Sequence, residues 1–123
     1  IKLIKSAFEK NNYSGEVLHQ DFFKLDHKYN ESFELILEHT FFCAINPIKR
    51  RAYVETAKRI LKPGGYLVGL FYETNEDGGP PFNTHKEDIE KYFSNSFKIE
   101  SLSKTPHSAE QRLEKEWLAV LKK

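Results

Sequence analysis

Residues 33–47, FELILEHTFFCAINP, decide the fold. Phe33, Leu35, Ile36 and Leu37 form a short apolar run, bounded by Asn30 and Ser32 on one side and by Glu38, His39 and Thr40 on the other. A run of that length, rich in branched and aromatic side chains and flanked by polar ones, predicts a buried parallel strand over 33–37. Asn46 and Pro47 then predict the start of a helix. The Asn side chain accepts from a free amide of the first turn, and Pro has no amide to leave unpaired there. Strand followed by helix is the building unit of an open α/β sheet, in which ligands bind outside the carboxyl ends of the strands. The segment Glu38-His39-Thr40-Phe41-Phe42 is therefore where a ligand is expected.

Working back from this stretch, Ile1, Ile4 and Phe8 keep helical spacing, and Asn11, Asn12 and Gly15 end the helix. Residues 16–20 predict a short strand with Asp21-Phe22-Phe23 at its carboxyl end, and 24–32 a polar connector. Read alone, Asp21 is a turn cap. Working forward, Tyr53, Ala57, Ile60 and Leu61 predict a helix that stops at Pro63-Gly64-Gly65. Lys49-Arg50-Arg51 lie in its first turns and predict a solvated face. Residues 66–72, YLVGLFY, predict a central strand covered on both faces, with Gly69 marking a close approach to the backbone. The Gly-Gly-Pro-Pro run in 73–83 predicts a stiff loop leaving the sheet on the ligand side. Thr84 and Glu87 predict a capping box opening a helix that carries Ile89, Tyr92 and Phe93. Residues 97–104 and 116–121 predict two strands close enough to pair as an antiparallel hairpin.

A chain of 123 residues with 39% hydrophobic and 30% charged residues fits one globular domain. A formal charge of +1, with both signs spread along the chain, gives no field that points to nucleic acid. No apolar run approaches the roughly 20 residues of a membrane helix, and no signal peptide is seen. The five histidines are scattered, which predicts no metal site. The single cysteine, Cys43, has apolar neighbours, reads as a packed core thiol and suits a cytoplasmic location. The chain contains no methionine and opens in helical rhythm without a cap, which predicts an N-terminally truncated piece of a longer protein.

The run EHTFFCAINP at 38–47, followed by LKPGG at 61–65 and GGPPF at 78–82, resembles the thiopurine S-methyltransferase family with its thiol and halide methyltransferase relatives. The resemblance spans residues 1–123. It implies an α/β fold: the C-terminal part of a Rossmann-like class I methyltransferase sheet, mostly parallel with an antiparallel C-terminal hairpin. It also implies one partial domain over 1–123 lacking its first strands and glycine-rich loop. The implied strand order pairs 33–37 with 66–72, puts the hairpin on the far side of the latter and leaves 16–20 without a partner. A crossover built to span two strand widths, roughly 10 Å, favours its detachment over its sliding across to pair with 33–37.

The implied activity is methyl transfer from S-adenosylmethionine to a small soft nucleophile, a thiol or thiopurine ahead of a halide. The 123 residues alone are expected to be inactive. The alternative is a non-catalytic methyltransferase-like interaction module or an inactive fragment. By the same resemblance Asp21 and Phe22 hold adenine, Glu38 takes the methionine amine, and Phe41 faces the sulfonium. His39, replaced by arginine in some members, orients or deprotonates the acceptor. Tyr72, Pro81 and Phe82 line the substrate. Of Phe41 and Phe42, one is expected in the core. The implied partner is a small-molecule substrate, with no nucleic acid and no membrane.

Overall fold

The apolar run forms β1 (Phe33–His39), in a computed structural model that describes residues 2–123. Its chain leads into a 3-10 turn (Pro47–Lys49), and the Asn46 side chain accepts from the Ile48 amide at 3.1 Å, as the capping argument requires. The α-helix proper, α2 (Arg50–Ile60), begins one turn later than the proline predicts. The helix before it is α1 (Lys2–Lys10). β2 (Leu61–Tyr72) follows without a break, because Leu61 already pairs with Phe33 before Gly64, at φ +80, shifts the register. α3 (Lys86–Phe93), β3 (Lys98–Lys104) and β4 (Glu116–Lys122) complete the chain.

The four strands order as β1-β2-β4-β3. β1 and β2 pair in parallel, from Leu35 opposite Tyr66 to His39 opposite Leu70. β4 returns antiparallel beside β2, from Lys122 opposite Tyr66 to Glu116 opposite Tyr72, and β3 flanks it antiparallel. The carboxyl ends of β1 and β2 and the start of β4 therefore meet at one end of the sheet. α2 and α3 cover one face, where Tyr53, Ala57, Leu67, Phe71, Ile89, Phe93, Ala119 and Leu121 form the buried core. No helix among the described residues is long and apolar enough to cross a membrane.

Five local expectations are corrected. Residues 16–20 form no strand, because their backbone groups find no ladder partner among the described residues; the expected detachment from β1 holds. β1 is an edge strand rather than a buried one: Leu35 and Leu37 are exposed, since the helices cover only the opposite face. LKPGG is not a break between helix and strand but the first residues of β2. The capping box moves by one residue, with Asp88 accepting from the His85 amide at 2.8 Å. It moves because Thr84 is fully buried and its hydroxyl accepts from Arg50 at 3.3 Å. Arg50 itself leaves the solvated run. It is buried, donates to the Asn83 carbonyl at 2.9 Å, and lies over the ring of Phe42 at 4.8 Å, tying the start of α2 to that of α3.

Candidate functional site

At the end of β1 the chain reverses through Thr40, whose φ of +65 is a strained value for a β-branched residue. Glu38 holds that reversal. Its Oε2 accepts from the amides of Phe41 at 3.0 Å and Phe42 at 3.2 Å, and its Oε1 accepts from the Tyr53 hydroxyl at 2.6 Å. Burial, with this carboxylate beside it, pushes the Tyr53 phenol well above its ordinary range, so it stays a donor. Gly69, opposite Glu38 in the ladder, makes room for the hub. A Cβ there would come within 3.0 Å of Glu38 Cβ and 2.8 Å of Phe71, the close approach read from the sequence.

The reversal turns Phe41 outward and Phe42 into the core. Phe41 meets Phe22 at 5.5 Å between ring centroids, and Phe22 stacks on Tyr53 at 5.3 Å. Asp21 caps the turn that presents Phe22, its Oδ1 accepting from the Phe23 amide at 2.9 Å, and it remains exposed. Phe22, Ile36, Leu37, Glu38, His39, Phe41 and Tyr53 line a hollow of about 270 Å³ against this aromatic wall. Three of the roughly four lone-pair positions of the Glu38 carboxylate are taken within the protein.

His39 lies between that hollow and a second one of about 310 Å³, lined on its far side by Ser108, Arg112 and Glu116. Tyr72 joins the second hollow indirectly, with the Arg112 guanidinium 4.3 Å from its ring. Pro81 and Phe82 line neither hollow. Their loop is strapped to the turn after β1 by the Phe82 amide, which donates to the Cys43 carbonyl at 2.7 Å. The structure thus brings Phe22, Glu38, His39 and Phe41 to one hollow, with Asp21 on the turn that presents Phe22, Tyr72 beside the second hollow, and Pro81 and Phe82 lining neither. A larger hollow of about 550 Å³ lies at the opposite end of the sheet among charged side chains, away from the strand ends where α/β sheets bind ligands. No group of three or more potential metal ligands occurs among the described residues.

Tyr53 lines the first hollow and Arg112 and Glu116 the second, and the sequence reading singled out none of the three for a site. Tyr53 kept core spacing, and nothing local marks its hydroxyl. Glu116 did carry a signal: a charge at the start of an apolar strand whose antiparallel return brings that start to the ligand end. Cys43 is buried, and burial pushes its thiol up from the ordinary value. In the folded chain Cys43 is expected to react with iodoacetamide far more slowly than in denaturant. Equal labelling rates in the two states would remove it from the core.

The thiopurine S-methyltransferase family profile matches residues 2–122. Thiocyanate methyltransferase 1 of Brassica oleracea is 38% identical over 106 residues, covering 85% of this chain and 46% of that protein. A thiopurine S-methyltransferase of Vibrio atlanticus is 45% identical over 56 residues, 44% of this chain and 25% of that protein. The chain thus spans less than half the length of these relatives. Among solved structures, a SAM-dependent methyltransferase of Methanosarcina mazei superposes over 100% of this chain and 76% of its own, with a TM-score of 0.74 at 14% identity, a likeness of fold.

Proposed function

Because this chain belongs to the thiopurine S-methyltransferase family, we propose that the protein transfers a methyl group from S-adenosylmethionine to a small soft nucleophile, a thiol or thiopurine ahead of a halide. The single observation that carries this reading is the aromatic wall of Phe22 and Phe41 with His39 beside it, at the strand ends where an α/β sheet takes its ligand. The residues fit the cofactor. An exposed carboxylate followed by an aromatic suits an adenine, and an exposed aromatic ring suits a sulfonium. When bound, the cofactor supplies a methyl group on a cationic sulfur.

In this reading Asp21 accepts the adenine amine through the oxygen that does not cap its turn, and Phe22 packs on the ring. Phe41 faces the sulfonium, where exclusion of water strengthens the attraction. Glu38 fixes the turn that presents Phe41 and has one acceptor position left for the methionine amine. His39 takes the acceptor's proton. Tyr72, with Pro81 and Phe82 on the neighbouring loop, borders the acceptor.

Asp21→Ala in the full-length protein is expected to weaken S-adenosylmethionine by about 1.5–3 kcal/mol, the range for a hydrogen bond to a charged group, with the fold intact. Calorimetric titration reads the change. Unchanged affinity in a folded variant returns Asp21 to turn capping, and no heat at all from the unaltered full-length protein sinks the functional reading.

A further inference from the structure

Glu116 opens β4 opposite Tyr72, at the end of the sheet where β1 delivers His39. It is only 2% exposed, yet its Oε2 has no hydrogen-bond partner among the described residues. A buried carboxylate oxygen is usually hydrogen-bonded, so one that lines a hollow with only longer ion-pair contacts has a lone pair open to a further donor. Two groups stand just outside bonding range of it: His39 Nε2 and Arg112 Nη1, each at 3.6 Å. The Arg112 guanidinium is held over Tyr72, which keeps a positive charge beside the carboxylate. The same hollow carries a second buried polar atom with no hydrogen-bond partner among the described residues, the Ser108 hydroxyl.

We infer that Glu116 is the positioning residue for His39: its carboxylate receives the Nε2–H of the imidazole and leaves Nδ1 free to take the proton of a thiol acceptor. The inference rests on the methyl-transfer reading and adds to it a carboxylate–imidazole pair that the aromatic wall does not require. The groups facing His39 divide the work. Glu38, its chain neighbour, is turned inward to Tyr53 and the two amides, so it does not compete for the ring. Arg112 balances the charge of Glu116, and His107 lines the same hollow. The 3.6 Å gap closes to an ordinary hydrogen bond by a small rotation of an imidazole that is largely exposed.

The chemistry balances simply. The thiol S–H bond breaks and its proton passes to Nδ1 of His39. The sulfur pair forms the bond to the methyl carbon, whose bond to the cofactor sulfur breaks with its electron pair returning to that sulfur. The products are a thioether and S-adenosylhomocysteine, and the imidazolium passes its proton to water. An acceptor that is already an anion, such as thiocyanate or iodide, has no proton to lose. The pair should therefore matter for thiols and not for such anions.

The test compares the native full-length protein with E116A and E116Q. The first readout needs no cofactor: nitrogen-15 spectra of the His39 imidazole above neutral pH. A single Nε2–H tautomer is expected in the native protein, relaxing in E116A toward the mixture shown by free histidine; an identical tautomer ratio in both overturns the positioning role. The second readout is the ratio of kcat for an alkyl thiol to kcat for thiocyanate. It is expected to fall by about 10-fold or more in E116A, a part of the roughly 10²–10⁴-fold that a positioned general base contributes. H39A should show the same selective loss, and the double variant no more than H39A alone. Equal losses on both acceptors overturn the pair while leaving methyl transfer standing. Absence of methylation on every acceptor by the native protein sinks the functional reading, and the tautomer readout then still decides the pairing. E116Q keeps the side-chain volume, so a fold failure confined to E116A does not rescue the inference.

Discussion

Glu38→Ala lowers stability by at least about 3 kcal/mol, because it deletes the acceptor of three donors at once, with hydrogen bonds to charged groups contributing about 1.5–3 kcal/mol each and not adding in full. The loss falls in two places. The Tyr53 hydroxyl is left buried without a partner inside the core. The amides of Phe41 and Phe42 lose the anchor that holds Thr40 at positive φ. Against a whole-domain stability of about 5–15 kcal/mol, that is a large fraction. Tyr53→Phe separates the two contributions, since it removes one bond and leaves the turn anchored. Its cost is expected at about half that of Glu38→Ala or less. Urea denaturation of the three proteins checks both statements. A Glu38→Ala midpoint equal to the native one, with an unchanged slope, would mean that the turn holds itself.

The same residue shows where sequence reading succeeds and where it stops. The strand at Phe33, its parallel partner at Tyr66 and the terminal hairpin were legible because runs of apolar residues and their punctuation are local, and the sheet order followed from the family resemblance. The segment at 16–20 was not. Val17 and Leu18 look like strand residues whatever lies beside them, but a strand exists only with a partner to pair with, and none stands there among the described residues. Arg50 failed for a related reason. Its run looked solvated because Lys49 and Arg51 are, whereas its own partners, Asn83 and Thr84, come from a distant helix start. In the candidate site, the expectation of a ligand at 38–42 rests on the rule about strand ends alone, and the contact of Phe22 with Phe41 there is a long-range one that no local pattern spells. What Glu38 does there needed coordinates, since a carboxylate facing a ligand and one facing three protein donors are spelled alike. Glu116 and Arg112 needed the hairpin's direction as well as its existence.

Phe42→Ala is expected to cost about 3–5 kcal/mol, the range for removing a fully buried aromatic ring, whereas Phe41→Ala should leave stability nearly unchanged. The two rings are neighbours in sequence and opposite in environment. Phe42 is 1% exposed and packs edge-on against Tyr53 at 5.2 Å and Phe71 at 5.1 Å, with Phe93 at 5.7 Å, so its loss opens a void among rings that meet in one cluster. It also removes the face on which Arg50 lies, leaving a buried guanidinium with less to rest on. Phe41 is 38% exposed, and its main contacts, Phe22, Phe23 and Tyr53, pack against one another without it. Its alanine variant should fold normally and lose affinity for S-adenosylmethionine, by about 0.5–2 kcal/mol if the ring faces a cation. Thermal unfolding and calorimetry on the two variants of the full-length protein give opposite patterns: stability lost at 42, cofactor binding lost at 41. If Phe41→Ala destabilises as much as Phe42→Ala, both rings are core, and the aromatic wall has no separate claim on the cofactor.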